Sequence, residues 1–153
     1  YLKENSHLVF SYHGIPMSQE RKQMKLNASY LQQCFETSRL IGEALNLRPS
    51  ETTTCFQSRV GLLKWTEPYT DKTMNEFTNQ NKNIVLATPS FVFDCLETLE
   101  EIKIELLNKF KEKSNNEIQV VPCVNDSELF VEGVAHWLST YLTDSINNPS
   151  LSR

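Results

Sequence analysis

The 153-residue sequence has no long hydrophobic run. Its apolar stretches are short, such as Ile84 to Ala87, whereas a membrane-spanning helix needs about 18 consecutive apolar residues, so such a helix is excluded. Only four glycines are present, and neither G-x-G-x-x-G nor G-x-x-x-x-G-K occurs, which removes the usual nucleotide-binding signatures. Fifteen basic residues face 19 acidic ones, so there is no positive excess to neutralise phosphates, and nucleic-acid binding is not expected.

Cysteine occurs four times, but the four lie far apart without a C-x-x-C pair, which argues against a zinc site or a thioredoxin-like motif. The N-terminus lacks a charged segment followed by an apolar one, so we expect no secretory signal peptide. We therefore expect a reducing, cytoplasmic location and leave peripheral attachment to a membrane open. The chain begins at Tyr1 rather than at methionine, so we expect it to be part of a longer protein.

Short apolar runs alternate with longer amphipathic stretches, a pattern typical of strands alternating with helices. The predicted strands are His7–Tyr12, Thr53–Gln57, Asn83–Thr88 and Glu117–Val121; the predicted helices are Tyr30–Leu47, Thr70 or Asp71 to about Asn79, Asp94 to about Lys113, and Asp126 to about Leu142. Such alternation favours parallel pairing through right-handed crossovers. We predict one α/β domain over residues 1–144, a doubly wound, mostly parallel four-stranded sheet with helices on both faces, and a flexible tail over 145–153.

Ligands of open parallel sheets bind beyond the carboxyl ends of the strands, where loops and helix N-termini converge. His13 follows the first predicted strand directly and precedes Gly14, which would let the backbone turn tightly there. An imidazole at this edge suits proton acceptance or metal ligation. The alternative is a structural histidine bonded to a neighbouring carbonyl, and position alone does not decide between the two.

The predicted helix from Asp94 carries two patterns. Leucines, isoleucine and phenylalanine form an expected apolar face: Leu96, Leu99, Ile102, Leu106 and Phe110. Glu97, Glu101 and Glu105 recur every four residues on another face, although like charges at that spacing repel one another. The row is either a solvated acidic face or a ladder of oxygen ligands and proton carriers leading into a cleft.

Aromatic residues accompany these groups in the predicted loops. Trp65, Phe91 and Phe93 could be core residues, although Trp65, in a loop next to Glu67 to Tyr69, could instead stack on a flat ligand. From the residues alone, metal or proton chemistry on a planar substrate is favoured only weakly.

Four strings taken together are more specific than any one of them: Phe10 to Pro16, Phe56 to Gly61, Trp65 to Asp71, and Asp94 to Ile102. In order and spacing they resemble the C-terminal half of bacterial ferrochelatase, and the resemblance continues through Asn125. It implies a chelatase-like α/β domain that forms one wall of a cleft between two similar domains. It also implies insertion of ferrous iron into protoporphyrin IX, the terminal step of haem synthesis.

The resemblance also implies residue roles. His13 matches the family's histidine, proposed both as metal ligand and as acceptor of a pyrrole proton, and Glu97 matches its partner carboxylate. Glu101 and Glu105 match an acidic row for metal or protons, which in the family lies on a widened π-type helical segment. The positions matching the porphyrin-binding cleft are Tyr12, Gln57, Ser58, Arg59, Trp65 and Phe91.

Three departures from the family pattern bear on these expectations. The family's Gly-Asp-x-Tyr segment reads Asn27 to Tyr30 here and retains only the tyrosine, which leaves the conformation of that loop open. Cys95 is a histidine in some relatives, so a second imidazole ligand is absent. The chain has no cysteine after Cys123, so we expect no iron–sulfur cluster and no permanently bound cofactor, with ferrous iron as a substrate.

The expected partners are protoporphyrin, ferrous iron and a missing N-terminal domain of the same protein, because about 150 residues is the usual size of one domain. We expect the isolated chain to have little or no chelatase activity, since one wall of the cleft would be absent. Two alternatives stay open: a chelatase for another metal or tetrapyrrole, such as a cobaltochelatase, and a noncatalytic tetrapyrrole-binding domain.

Overall fold

The computed structural model describes residues 5–147, and side chains as far as residue 143. Within this range the strands are β1 (Ser6–His13), β2 (Thr52–Gln57), β3 (Asn83–Ala87) and β4 (Ile118–Val120). The α-helices are α1 (Met17–Met24), α2 (Tyr30–Ala44), α3 (Thr70–Phe77), α4 (Leu107–Lys111) and α5 (Glu128–Asn147). A 3₁₀ turn covers Pro49–Glu51, and a π-helix covers Glu97–Leu106 and continues directly into α4.

The strands form one parallel sheet in the order β2-β1-β3-β4. Parallel strands need crossover connections, and helices supply them here. Alternate residues of β1 point to opposite faces, so Leu8 and Phe10 pack with α2 while Val9 packs with α3 and the π-helix. The predicted α/β fold with helices on both faces is confirmed.

One core lies on each face of the sheet. On the α2 side it consists of Leu8, Phe10, Tyr12, Cys34, Phe56 and Val85. On the other side it consists of Val9, Cys55, Met74, Phe77, Ile84, Leu86, Ile102, Leu106 and Phe110. Ile102, Leu106 and Phe110 therefore fulfil the expected apolar face of the long helix. The prediction was wrong for Leu96 and Leu99, which are 70% and 44% exposed, because the wider π-turn rotates them away from the sheet.

Helix α1 was missing from the sequence-based prediction. It has eight residues, its composition is polar, and its only buried side chain is Glu20. The Glu20 carboxylate accepts hydrogen bonds from the backbone N–H groups of Tyr30 and Leu31, at 3.1 and 3.3 Å, and from the Ser29 hydroxyl. A carboxylate at the start of α2 satisfies donors that have no partner within the helix. Helix α1 thus serves as a cap for α2.

The Asn27–Tyr30 segment has a definite conformation despite its departure from the family pattern. Asn27 takes a φ of 54°, and asparagine tolerates this left-handed region better than most residues. Ser29 caps α2 by accepting a hydrogen bond from the N–H of Gln32 at 3.1 Å. The loop therefore delivers Tyr30 to the first turn of α2.

The chain divides into two compact units, one ending at Cys123 and the other beginning at Val124. The second unit contains α5, which begins two residues later than predicted and extends to Asn147, into the stretch predicted as a tail. The rest of that predicted tail, 148–153, lies outside the described residues. The assignment of residues 1–144 to one domain stays a prediction. None of the helices in the described range has the length and apolar character needed to cross a membrane.

Candidate functional site

The ends of β1 and β2 and the start of the π-helix open onto one cleft of about 730 Å³. Its lining consists of His13, Ser58, Arg59, Val60, Trp65, Leu96, Glu97, Glu100, Glu101 and Glu105. This is the carboxyl edge of the parallel sheet, where ligands of such folds bind. The structure therefore brings seven of the ten predicted site residues onto a single surface.

His13 is the last residue of β1 and is held from three sides. Its backbone N–H donates to the Ser90 hydroxyl at 3.0 Å, and its carbonyl accepts from the Tyr30 hydroxyl at 2.8 Å. Its ring Nδ1 lies 2.6 Å from the carbonyl oxygen of Gly14. A carbonyl only accepts, so Nδ1 carries the proton, and in the neutral ring Nε2 keeps its lone pair.

This arrangement joins the two readings of His13 that the sequence left open. The ring is bonded to a neighbouring carbonyl, and that same bond fixes the tautomer in which Nε2 can accept a proton or bind a metal. The Tyr30 hydroxyl donates a hydrogen bond to the backbone carbonyl of His13. Burial raises the pKa of this hydroxyl, which therefore stays protonated as a donor. The tyrosine retained from the family motif thus anchors the backbone of the candidate histidine.

Glu97 begins the π-helix and lies on the same cleft as His13. The thiol of Cys95 and the backbone N–H of Glu97 itself hold the pKa of its carboxyl below the ordinary value, and nearby His13 lowers it further. Hydrogen bonds and positive charge favour the ionised form of a carboxyl. Glu97 is therefore an open carboxylate within electrostatic range of the imidazole.

The three glutamates of the acidic row differ from one another. Both oxygens of Glu101 are taken by Ser58, whose backbone N–H and hydroxyl donate at 2.7 Å each. Ser58 adopts a φ of 65°, which turns its N–H toward the helix. Glu105 is exposed and pairs with Lys109 at 3.0 Å. Only Glu97 combines an open position with proximity to His13.

Two larger side chains form the rim. The Arg59 guanidinium donates to Asp71 at 2.7 Å and stacks 4.2 Å above the Tyr69 ring. The indole N–H of Trp65 donates to the carbonyl of Val60 at 3.0 Å, so the ring is oriented by the loop that precedes it. Both residues line the cleft, as the flat-ligand interpretation of Trp65 requires.

The placement of Tyr12 in the cleft was wrong. Its side chain is 3% exposed, packs in the core on the α2 side, and lies with its hydroxyl 3.0 Å from that of Ser38. Tyr12 and His13 are adjacent in a strand, so their side chains point to opposite faces of the sheet. If His13 faces the cleft, Tyr12 cannot.

Gln57 and Phe91 also lie outside the cleft lining. Gln57 is 4% exposed, and its amide bonds to Ser11 and to the carbonyl of Glu97. The Phe91 ring is half-buried, with its centroid 6.0 Å from that of the His13 ring. Phe91 thus packs beside the histidine, and the buried Gln57 contacts the backbone of Glu97, a residue that lines the cleft.

Several contributors were missed by the sequence-based interpretation. Leu96, Glu100 and Val60 line the cleft. The 3.6-residue period predicted Leu96 in the core, but it directly precedes the π-helix and lies 70% exposed at the cleft. Ser58 had been predicted only to line the porphyrin cleft, and nothing in the sequence signalled that it would hold Glu101. Among the residues that the structure describes, no three His, Cys, Asp or Glu side chains converge as a metal site.

Comparison with known proteins agrees with this geometry. The ferrochelatase family model matches residues 1–142. Among curated relatives, the ferrochelatase of Legionella pneumophila is 39% identical over 88% of this chain and 45% of its own length. The ferrochelatase of Bdellovibrio bacteriovorus is 41% identical over 87% and 44%, and that of Brucella ovis is 43% identical over 79% and 34%. This chain spans less than half the length of these relatives. Because the family model covers nearly all of it, the chain belongs to the ferrochelatase family.

Proposed function

We propose that the protein containing this chain inserts ferrous iron into protoporphyrin IX to form protohaem. The observation that carries the proposal is the shared cleft of His13 and Glu97, together with the Nδ1 contact that leaves Nε2 with a lone pair. Family membership supports the same reading.

Metal insertion replaces two pyrrole protons by one divalent ion, so the site has to hold the metal and accept protons. Neutral imidazole and carboxylate bind a borderline ion such as Fe²⁺ without the tight hold of a thiolate site. In the proposed reaction Glu97 would bind the incoming ion, Nε2 of His13 would accept one of the two pyrrole protons, and the other would pass to water in the open cleft; if Nε2 binds the metal instead, both protons would pass to water. The porphyrin nitrogens and water would complete the coordination.

The glutamates that line the cleft would then have different roles. Glu100 and Glu105 are exposed and can attract a cation toward Glu97. Glu101 is held by two hydrogen bonds from Ser58, so we propose that it shapes the wall rather than carrying protons. Trp65 and Arg59 on the rim would contact the face and the propionates of the macrocycle.

The relatives are more than twice as long as this chain, so we propose that the opposite wall of the cleft comes from a part of the protein that this chain does not span. On this account the 153-residue chain alone inserts metal far more slowly than the full-length protein. We further propose a cytoplasmic location, with any membrane contact peripheral. Release of the protein from membranes by a salt or carbonate wash checks that location, and retention would contradict it.

The test uses the full-length protein, purified without oxygen and offered Fe²⁺, Co²⁺ or Zn²⁺ with protoporphyrin or coproporphyrin. The proposal predicts insertion of Fe²⁺ into protoporphyrin, followed by absorbance and by the metal content of the product. A clear preference for Co²⁺ would assign another chelatase instead. Porphyrin binding without insertion of any metal would identify a noncatalytic tetrapyrrole-binding protein.

A further inference from the structure

Gln57 links the two sides of the cleft without lining it. It is the last residue of β2 and lies opposite His13 in the parallel register. Its carbonyl accepts a hydrogen bond from the N–H of Gly14 at 2.9 Å, next to His13. Its side-chain Nε2 donates to the carbonyl of Glu97 at 3.0 Å. Gln57 thus hydrogen-bonds both to the backbone next to His13 and to the backbone of Glu97.

A buried chain of hydrogen bonds fixes the orientation of this amide. The Ser11 hydroxyl donates to Oε1 of Gln57 at 2.7 Å, and the Thr70 hydroxyl lies 2.7 Å from that of Ser11. The Glu97 carbonyl only accepts, so the amide nitrogen has to face it and the amide oxygen has to face Ser11. Ser11, Gln57 and Thr70 are all buried, where an unpaired polar group is costly.

The chain of bonds runs from the first residue of α3, through β1 and β2, to the first residue of the π-helix. The bonds among Thr70, Ser11 and Gln57 are buried, and the bond from Gln57 to Glu97 is partly buried, so these contacts are stronger than exposed ones would be. Ile102 of the π-helix packs into the core of the sheet, a contact without directional preference, and Ser58 holds Glu101 further along the helix. The Gln57 amide instead contacts Glu97, the first residue of the helix. The Gln57 amide is therefore a directional contact that sets where Glu97 stands relative to the sheet edge.

We propose that Gln57 is a positioning residue for metal insertion, and that it sets the separation between His13 and Glu97 without touching substrate. The inference rests on the proposed function, because it concerns the spacing of the two groups assigned to the metal and the protons. A displacement of about 1 Å in such a pair can cost about 100-fold in rate. Loss of the Nε2 donor would act through geometry while the porphyrin surface stays intact.

The experiment compares variants of the full-length protein. Gln57→Met keeps the length of the side chain but removes the donor to Glu97. Gln57→Glu, which retains Oε1 for Ser11, is a second variant in case the first does not fold. Ser38→Ala, the matched control, removes a buried hydroxyl on the other face of the sheet, outside the hydrogen bonds of Gln57.

For Gln57→Met we expect kcat to fall by about 10- to 100-fold with the porphyrin KM within about threefold of the parent. Ser38→Ala should keep kcat within about threefold. A crystal structure of Gln57→Met should show Glu97 moved by about 1 Å relative to His13. A residue that only stabilises the core would instead lower kcat in all variants in proportion to their loss of stability.

The two readouts separate the two claims. If the parent protein inserts no metal, the proposed function fails, and the crystal structure still decides the inference. An unchanged Glu97 position in the Gln57→Met structure overturns the positioning role in either case. So does a kcat of that variant equal to the Ser38→Ala control in an active protein.

Discussion

Gly14, which directly follows His13, has no room for a side chain. A Cβ built on it would stand 2.8 Å from the carbonyl oxygen of Gln57 and 3.4 Å from Oγ1 of Thr66. Real Cβ atoms do not approach backbone oxygen that closely, so the β1 end would have to move away from β2. The glycine lets the chain turn directly after His13 while its N–H stays bonded to Gln57.

For Gly14→Ala we expect a loss of about 1–3 kcal/mol in the free energy of unfolding, because the clash is with backbone and cannot be relieved by a rotamer. Urea unfolding followed by circular dichroism measures it. Gly42→Ala in α2 is the matched control: its Cβ meets Thr52 Cγ2 at 3.5 Å, an ordinary contact, and alanine favours a helix. Equal stability of Gly14→Ala and the parent would contradict the crowding argument.

His7 makes the free energy of unfolding depend on pH. The centroid of its ring lies 4.7 Å from that of the Phe77 ring. Burial lowers the pKa of the His7 ring below 6.5, and the nearby charge of Lys82 lowers it further. The unfolded chain therefore binds the proton more readily than the folded one. The contribution is complete above pH 6.5 and is lost as the pH falls from there toward the folded pKa.

We predict that the free energy of unfolding falls between about pH 7 and about pH 5 by an increment that His7→Asn lacks. Denaturant unfolding at several pH values measures the slope. His136→Asn, in α5, should retain the slope of the parent protein. If His7→Asn and the parent show the same slope, the term does not come from His7.

Much of the residue-level placement could be predicted, because strand ends can be read from apolar runs. The apolar run of β1 predicts His13 at the strand end, the family resemblance pairs it with Glu97, and both residues line one cleft. Tyr12 was assigned by resemblance alone, and the alternation of side chains along β1 places it in the opposite core. The contacts of Ser58 and Gln57 could not be predicted, since they depend on tertiary geometry that no local pattern encodes.

The π-helix is the element that sets the character of the site. Its i→i+5 hydrogen bonds widen the turn, which turns Leu96 and Leu99 away from the sheet while Ile102 and Leu106 stay buried. The family resemblance led to the expectation of such a segment. Periodicity could not, because a helix of mixed apolar and acidic residues carries no marker that distinguishes the two kinds of turn.

Glu101 and Glu105 have different contacts, so we expect their substitution to change the free energy of unfolding by different amounts. Glu101→Gln should lower the free energy of unfolding by about 1–3 kcal/mol, because two charge-assisted hydrogen bonds from Ser58 lose their acceptor charge. Glu105→Gln, the matched control, removes an exposed pair with Lys109 and should cost less than about 1 kcal/mol. Thermal or urea unfolding compares them. Equal losses would mean that Ser58 does not hold Glu101 in solution.

At the scale of the molecule, the candidate groups lie together along the carboxyl edge of the sheet, in a cleft that is open to solvent. The cleft of about 730 Å³ collects groups from β1, from the segment after β2 and from the π-helix, all at one edge of the sheet. A porphyrin has two faces, and this chain spans 45% of the length of its Legionella relative. Under the proposed function, this side of the cleft would handle the metal, and the remainder of the protein would enclose the macrocycle.

The most direct test of the central claim is the iron-insertion rate of the full-length His13→Ala protein, with His136→Ala as the matched control. Because Nε2 of His13 is the proposed ligand and proton acceptor opposite Glu97, we predict that His13→Ala loses insertion by about 100-fold or more and still binds porphyrin with nearly unchanged affinity. His136→Ala should insert iron at the parent rate. Near-parental insertion by a folded His13→Ala protein would contradict the account.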